Sequence, residues 1–439
     1  MTRNVSLWRV AAVWWPLAGS WLLMSAEQPA MSAVVARLAA PEINLAAWGG
    51  VVFPLILIIE SPIIMLLSAS TALSRDWDSY LRIRTFMMWA GAVLTVLHVL
   101  VAFTPVYYVV VEDILRSPAE IVEPARIGLM IMTPWTWAIA FRRFNQGVMI
   151  RFGHPRAVAL GTLIRLAADI AVLVGGYLIG TIPGIVVASS AIAAGVVAEA
   201  IYAGLRVRPV IREQLRHAPA AAQPLTWRVF VDFYLPLALT SLLNLVVQPL
   251  GSAAIGRMPQ ALASLAVWPV VTGVIFVLRS LGVAYNEVVI ALLDEPGAAR
   301  QLRRFAALLV VSSTALQLLL AATPLGELWF RNISALPERL LPLATTGMWL
   351  AVLLPGLNVL QSWYQGTLTY CRRTRGITEA LGIFLVVTSA VLWLGVQRGE
   401  VAGLYVGLAA FTVGSLAHTA WVWLRSRPAM RSVRDQAHS

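Results

Sequence analysis

The chain has 439 residues, of which 59% are hydrophobic and only 12% are charged. Since soluble proteins contain about 25% charged residues, this composition excludes a soluble enzyme, a disordered chain and a coiled coil. A single cysteine, Cys371, excludes a disulfide framework and a cysteine-based zinc or iron–sulfur site. The formal net charge is +12, and all 33 lysine-or-arginine positions are arginine.

Long apolar runs predict twelve membrane-spanning helices, because a helix needs about 20 mostly apolar residues to cross a bilayer. The first six runs cover residues 8–37, 44–73, 84–111, 124–150, 157–181 and 184–205. The second six cover residues 229–256, 260–292, 304–330, 340–370, 376–397 and 401–424. The first run is too long for a signal peptide and lacks a small-residue cleavage site, so we expect it to remain a span.

The distribution of arginine predicts the orientation of these spans. With a cytoplasmic N-terminus, 22 of the 33 arginines lie in inner segments, seven in outer loops and four inside spans. This positive-inside bias predicts that both termini are cytoplasmic. It also explains the net charge without nucleic acid as a partner. We therefore expect a multi-pass protein of the cell (plasma or inner) membrane.

The polar stretch 206–228 predicts a cytoplasmic linker, because its centre is rich in alanine and proline. The predicted domains are an N-terminal six-helix bundle over 1–205, this basic linker, a C-terminal six-helix bundle over 229–424 and a cytoplasmic tail over 425–439. The arginines of the linker either signal topology alone or also contact anionic membrane lipids.

The two halves resemble each other at an offset of 219 or 220 residues, which indicates an internal duplication. The matches include Pro16-Leu17-Ala18 with Pro236-Leu237-Ala238, Gln28-Pro29 with Gln248-Pro249, and Gln146-Gly147 with Gln365-Gly366. Two repeats of six spans start on the same side of the membrane. We therefore expect a two-fold axis along the membrane normal and a V-shaped cleft between two bundles. Such a fold favours alternating access, with spans one, two, seven and eight facing the cleft.

Polar residues beside the repeated Gln-Pro pairs are the first candidates for a site. Glu27 and Gln28 precede Pro29 inside span one, and Gln248 precedes Pro249 in span seven, with Asn244 one turn earlier. Proline kinks a helix and frees backbone carbonyls that can face a cavity. A carboxylate in a low dielectric medium also exchanges protons more readily near neutral pH. The alternative is a packing kink with a protonated, hydrogen-bonded Glu27.

Further ionisable residues inside spans are functional-site hypotheses by default. Glu60 lies two residues before Pro62 in span two, and it either binds substrate or ions, or pairs with a neighbouring helix at a kink. Arg165 and Asp169 are four apart in span five, on one helical face, so they either neutralise each other or bind substrate or a proton. His98 in span three is either a hydrogen-bonded core residue or a proton relay.

The arginines inside spans are the candidates for binding an anion. Arg142 and Arg143 lie toward the inner end of span four, where at least one could instead reach the interface. Arg279 lies in the corresponding part of span eight. Glu199 and Glu287 lie nearer inner ends of spans, and we expect both to be solvated.

Several catalytic motifs are missing from the sequence. It contains no HExxH, no GxxxxGK[ST], no GxSxG and no paired cysteine motif. We therefore expect no enzyme activity, no cofactor and no metal site, and transport energy would come from an ion gradient or from the substrate's own gradient.

Twelve spans in two repeats, with Gln-Gly at the inner ends of spans four and ten, resemble the MATE-like fold of the multidrug/oligosaccharidyl-lipid/polysaccharide (MOP) exporter superfamily. Within it, AGAVLTVLHVLVAFTPVYY, residues 90–108, is similar to the third span of the progressive ankylosis (ANKH) group. Glu27-Gln28 and residues 236–239 also match that group, whose long acidic tail is missing here. This resemblance implies export of citrate, pyrophosphate or nucleoside triphosphates.

The leading hypothesis is a secondary active exporter of a polyvalent organic or phosphate-bearing anion. Arginine offers carboxylate or phosphate a planar fork of donors, and it would repel a cationic substrate. The alternatives are a drug or organic cation antiporter coupled to protons or sodium through Glu27 and Glu60, and a flippase for lipid-linked precursors. We expect a monomer whose partners are a small molecule, a coupling proton or sodium, and membrane lipids.

Overall fold

The computed structural model describes residues 5–220, 223–295, 297–371, 373 and 375–436, and these residues form helices joined by short loops. The first half contains α1 (Leu7–Ser25), α2 (Glu27–Val35), α3 (Pro41–Ala47), α4 (Phe53–Glu60), α5 (Leu66–Leu73), α6 (Trp77–Phe103), α7 (Val106–Tyr108), α8 (Ala119–Ile131), α9 (Thr133–Arg151), α10 (Pro155–Ile179) and α11 (Gly184–Glu213). The second half contains α12 (Trp227–Leu245), α13 (Val247–Ile255), α14 (Ala261–Leu292), α15 (Ala298–Ala322), α16 (Pro324–Leu328), α17 (Leu341–Leu350), α18 (Leu354–Tyr370), α19 (Arg375–Arg398) and α20 (Gly403–Gln436).

Ten helical segments of the described chain are long and apolar enough to cross a membrane. The two remaining predicted spans are each built from two helices, α1 with α2 and α8 with α9. The protein is therefore an all-α polytopic membrane protein with the predicted repeated organisation. α11 continues to Glu213, beyond the predicted span end at 205, because Pro209 does not interrupt it.

Buried and peripheral spans differ in how much of their surface the protein covers. The segments Pro41–Glu60, Gly184–His217 and Ala261–Leu292 are 67–78% buried over their most apolar windows, whereas Trp77–Phe103 and Pro155–Ile179 are 22% buried. The peripheral helices expose large apolar side chains, which is what lipid contact requires. Charged side chains on the covered faces of the interior helices are therefore shielded from both lipid and water.

The predicted proline kinks coincide with breaks between helices. α1 ends at Ser25 and α2 starts at Glu27, and the equivalent break separates α12 from α13 at Val246. Span two is interrupted directly after Glu60, where residues 61–65 form turns around Pro62 before α5 begins. Glu60 therefore lies at a helix end within the membrane-spanning segment.

Backbone details repeat between the halves and confirm the duplication. Left-handed residues occur at the equivalent pairs Ala40 and Gln260, Arg116 and Ala335, and Gly180 and Gly399. Near the start of span two, a π-helical turn at Trp48–Val52 adds one residue that the continuous helix α14 lacks. This insertion explains why the offset changes from 220 before the turn to 219 after it.

The helices form two compact units, each assembled from parts of both halves. One unit contains residues 37–256, and the other contains residues 1–36 and 257–439. The predicted bundles 1–205 and 229–424 describe the sequence repeat and stay a prediction. The observed units differ from them because each unit contains the first span of the opposite half.

The first span of each half packs on the second span of the other half. In one unit the Trp14 indole on α1 donates a 3.0 Å hydrogen bond to the carbonyl of Leu281 on α14. In the other, the Tyr234 hydroxyl on α12 donates to the carbonyl of Pro62. Trp14 and Tyr234 are equivalent in the repeat, as are Leu281 and Pro62. In the unit of residues 37–256, Tyr234 therefore satisfies a carbonyl at the Glu60 break.

Candidate functional site

Three adjacent helices of the unit 37–256 present small or polar residues at a spacing of four. The pairs are Arg142 and Gln146 on α9, Arg165 and Asp169 on α10, and Gly195 and Glu199 on α11. Residues four apart share one face of a helix. Because α9, α10 and α11 pack against one another, these faces meet in the interior of the unit.

Glu199 is the centre of this arrangement. Its side chain is fully buried, and one carboxylate oxygen accepts a charge-assisted hydrogen bond from Arg142. The other oxygen accepts a 2.8 Å hydrogen bond from the Gln146 amide. Nε of Arg165 lies 3.8 Å from the oxygen that Arg142 contacts. Two arginines and one glutamine from neighbouring helices thus converge on one carboxylate.

Asp169 lies directly against the backbone of α11. A Cβ atom added at Gly195 would be 1.7 Å from an Asp169 carboxylate oxygen, so only glycine permits this approach. Asp169 is buried, with 2% of its surface exposed. Gly195 therefore places a second carboxylate beside the arginines, one helical turn from Glu199.

Glu60 and Arg143 form no ion pair among the described residues, in contrast to Arg142 and Glu199. Glu60 is 3% exposed, and its Oε2 atom has no hydrogen-bond partner in the described part of the chain. Nε of Arg143 is likewise buried without an acceptor among these residues. Arg143 acts on Glu60 electrostatically, more strongly than Arg142 does, although the two side chains form no direct ion pair.

These residues form what we call the charged cluster: Glu60, Arg142, Arg143, Arg165, Asp169 and Glu199. Three arginines face three carboxyl groups, so the cluster is formally neutral when every group is ionised. Arg142 lies nine residues before the end of α9, about 14 Å along the helix. Charges at such depth are expensive to bury unless they pair with each other, which this arrangement achieves.

The second repeat contains a neutral version of the same constellation. Gln361 and His418 occupy the positions equivalent to Arg142 and Glu199, and Gln365 corresponds to Gln146. The Gln365 amide nitrogen lies 3.0 Å from Nε2 of His418, just as Gln146 contacts Glu199. Gln361 instead donates to the carbonyl of Ser415 and to the Thr419 hydroxyl. Both repeats therefore share the glutamine contact, whereas only the first repeat has the charged pair.

The charge within the second span of each repeat is also reversed. Glu60 corresponds to Arg279 on α14, which acts electrostatically on His418. A close approach recurs as well, since a Cβ at Gly414 would lie 2.1 Å from the Thr388 hydroxyl oxygen. The two repeats thus differ in electrostatics while sharing their helix packing.

His98 is held on both sides of its ring. Nδ1 lies 2.8 Å from the Thr136 hydroxyl and Nε2 lies 2.9 Å from the carbonyl of Leu129. The equivalent Gln317 contacts the carbonyl of Met348, the counterpart of Leu129. These contacts support a packing role for His98, and its proton-relay role stays a prediction.

The remaining predicted residues lie outside the charged cluster. Glu27 and Gln28 start α2, where both are partly buried and have contacts of their own. Arg279 on α14 is also partly buried. Asn244 near the end of α12 is exposed, and Gln248 in α13 is partly buried. Their predicted roles in a cleft stay predictions.

One expectation was wrong, and one residue that shapes the packing of the cluster was missed. Glu199 was expected to be solvated because it lies near the predicted end of span six, but α11 extends well beyond that point and Glu199 is fully buried. Glu287 is exposed, as expected. Gly195 was not recognised from the sequence, although its four-residue spacing from Glu199 was a usable signal. In the described residues no three histidine, cysteine or acidic side chains gather as a metal site would require.

Comparisons with known proteins identify the fold. No family model and no curated protein matches the sequence. An inward-facing multidrug resistance MATE family transporter of the MOP superfamily matches at a TM-score of 0.76 and 14% identity, over 97% of this chain and 99% of that one. The lipid II flippase MurJ, in an inward closed conformation, matches at 0.72 and 11% identity, over 96% and 90%.

A MOP superfamily transporter from Pyrococcus furiosus matches at a TM-score of 0.60 and 16% identity, over 98% of this chain and 99% of that one. That structure is described as having a binding pocket of reverse polarity, which suggests a different function for it. At these identities the likeness establishes the fold, which is the predicted MATE-like fold, while the closer resemblance to the ANKH group has no support from these comparisons.

Proposed function

We propose that the chain is a secondary transporter that moves a polyvalent organic or phosphate-bearing anion across the cell membrane by alternating access. One observation carries this proposal: three arginines meet inside the spans of one unit, Arg142 buried and Arg143 and Arg165 partly buried, and Nε of Arg143 is buried without an acceptor among the described residues. The transporter folds that the chain resembles support the membrane transport part of the proposal.

The chemistry of guanidinium groups favours an anion over a cation. Each guanidinium presents several N–H donors in a plane that matches a carboxylate or phosphate. In a medium of low effective dielectric constant, these charges act on a ligand much more strongly than in water. Citrate and pyrophosphate, which the ANKH resemblance implies, have the charge and the geometry to engage two or more arginines together.

Ligand binding to the purified full-length chain tests this proposal. A ligand that binds the folded state alone raises the apparent melting temperature in detergent. We expect citrate or pyrophosphate to raise it, and Arg143→Ala to reduce that increase. Arg151→Ala is the matched control, because Arg151 is an exposed arginine on the same helix, and it should keep the wild-type response. An equal loss in both variants would mean that the cluster is not the binding site.

A flippase for lipid-linked pyrophosphate precursors is the second candidate, because the chain shares its fold with a lipid II flippase along 96% of its length. In both candidates, anionic oxygen atoms of the substrate would contact the arginines. Movement of a fluorescent pyrophosphate-linked lipid between leaflets, without flux of free citrate or pyrophosphate, would favour this alternative. A cation antiporter using Glu27 and Glu60 is the third candidate, which cation–proton exchange by the same vesicles would reveal.

The proposed orientation places both termini in the cytoplasm. Cys371, the single cysteine, is partly exposed between α18 and α19 and would also be cytoplasmic. In right-side-out vesicles, a membrane-impermeant thiol reagent should leave Cys371 unmodified until the vesicles are opened. Modification from the outside would reverse the proposed topology.

A further inference from the structure

The charge balance of the cluster limits how it can bind an anion. Because three arginines already face three ionised carboxyl groups, a polyvalent anion would bring net negative charge into a poorly solvated region. Such a charge is costly unless something neutralises it. A proton taken up by one carboxyl group would leave one arginine without a counter-charge and would make the cluster net positive.

The contacts indicate which carboxyl group takes up the proton. Glu199 accepts hydrogen bonds from Arg142 and Gln146, which stabilise its ionised form. Asp169 is buried without hydrogen bonds to its oxygens in the described chain, but it has an ionic or electrostatic contact of its own. Glu60 forms no ion pair among the described residues, and it has a buried oxygen that no donor in the described chain reaches. An ionised carboxylate is most costly to bury where both hydrogen bonds and a paired charge are missing, so Glu60 is the group that most readily becomes neutral.

The surroundings of Glu60 leave two charged neighbours that act on it. α4 packs against α6, α9, α12, α13 and the π-helical turn. From α9, Arg143 and Arg142 act on the carboxylate. From α12, Tyr234 is engaged with the Pro62 carbonyl, and from α6, His98 is engaged with Thr136 and Leu129. α13 and the π-helical turn contain no titratable side chain. The other titratable groups of α6 and α12 are Asp78, Tyr80, Arg82, Arg84, Arg228 and Asp232.

We infer that the anion and a proton bind together, with the proton on Glu60 and the anion on Arg143. Protonation removes the counter-charge of Arg143, whose buried nitrogen has no other acceptor among the described residues. By linkage, a bound anion raises the proton affinity of Glu60 by the same factor by which the proton raises the anion affinity. This inference rests on the proposed anion transport and adds the identity and direction of its coupling ion.

The direction of coupling follows from this linkage. If the anion and the proton load the same site together, they cross the membrane in the same direction. Efflux of the anion therefore carries one proton out and does not exchange for an entering proton. Outward transport would then be driven by the anion's own gradient and favoured by acid on the cytoplasmic side.

Calorimetric titration of the purified full-length chain with citrate tests the coupling. In two buffers with different ionisation enthalpies, the number of protons taken up on binding is measured for wild type and Glu60→Gln. The ligand's own protonation is common to both proteins and cancels in the difference, which should be close to one proton. Glu287→Gln, which alters an exposed glutamate in another helix, should behave as wild type.

The pH dependence of affinity gives a second readout. The affinity of wild type for citrate should fall by up to tenfold per pH unit above the pH at which Glu60 loses its proton. Glu60→Gln should lose this part of the pH dependence. Equal proton uptake by wild type and Glu60→Gln would overturn the inference while leaving anion binding intact. Absence of citrate binding to wild type at any pH would instead overturn the proposed function, and this inference with it.

A measurement on the wild type alone avoids the risk that Glu60→Gln does not fold. Vesicles that contain the protein, a pH-sensitive dye and citrate are prepared at about pH 8, where the carboxylates of free citrate are ionised. Citrate efflux should make the interior more alkaline, because a proton leaves with each anion. An interior that becomes more acidic during efflux would show exchange and would overturn the inference.

Discussion

Replacing the charged pair of the first repeat by its neutral counterpart from the second repeat probes what the pair contributes. Glu199→His and Arg142→Gln introduce the residues found at the equivalent positions, His418 and Gln361. Each single substitution removes the closest charged partner of a buried group, since the Arg142 and Glu199 side chains are only 8% and 0% exposed. Breaking such a pair on one side costs about 3–5 kcal/mol.

The double variant should recover most of this loss. Replacing both members of a buried pair by neutral groups is often close to neutral for stability, so we expect the double variant within about 1–2 kcal/mol of wild type. The second repeat shows that the same helix packing accommodates glutamine and histidine. Anion binding should nevertheless fall, because one guanidinium is gone.

Reversible unfolding in detergent, combined with citrate-induced stabilisation, measures both effects. A double-mutant cycle gives the interaction energy between Arg142 and Glu199. If the double variant loses as much stability as the two single variants added together, the two side chains do not act as a pair. If it binds citrate as wild type does, Arg142 is not part of the anion site.

Four further substitutions, with Gly19→Ala as a control, test other residues of the chain. Gly195→Ala should destabilise the chain and displace Asp169, because the new Cβ would lie 1.7 Å from its carboxylate oxygen, whereas Gly19→Ala has open space and should be tolerated; thermal unfolding distinguishes them. Arg165→Lys should weaken citrate binding several-fold because the planar fork is lost, and Asp169→Asn should tighten it if this carboxylate competes with the anion, as titration at fixed ionic strength would show. Glu27→Gln should leave folding nearly unchanged and abolish flux or its pH dependence; wild-type flux would remove Glu27 from the mechanism.

The sequence predicted the organisation of the chain because hydrophobic length, arginine bias and an internal offset are local or linear signals. The breaks at Ala26 and after Glu60 followed from Pro29 and Pro62, since proline interrupts helical hydrogen bonding wherever it lies. The sequence did not reveal that α1 and α12 each pack on the other half, because the apolar faces of both helices fit either partner.

Five of the six residues of the charged cluster were predicted from the sequence, but their contacts were not. Arg142, Arg143, Arg165, Asp169 and Glu60 were identified because ionisable residues are rare inside spans. The central role of Glu199 was missed, since its depth depends on how far α11 extends beyond the bilayer. The internal repeat contains a signal for Glu199, because the glutamine shared by the inner ends of spans four and ten contacts this position in one half and its equivalent in the other.

Flux through vesicles that contain the purified chain tests the central claim most directly. The same preparation is assayed for labelled citrate or pyrophosphate, for cation–proton exchange and for movement of a pyrophosphate-linked lipid. Wild type should transport the free anion, Arg143→Ala should lose most of this flux, and the control Arg151→Ala should keep it. Cation–proton exchange without anion flux, impaired in Glu27→Gln and unaffected by Arg143→Ala, would contradict the account.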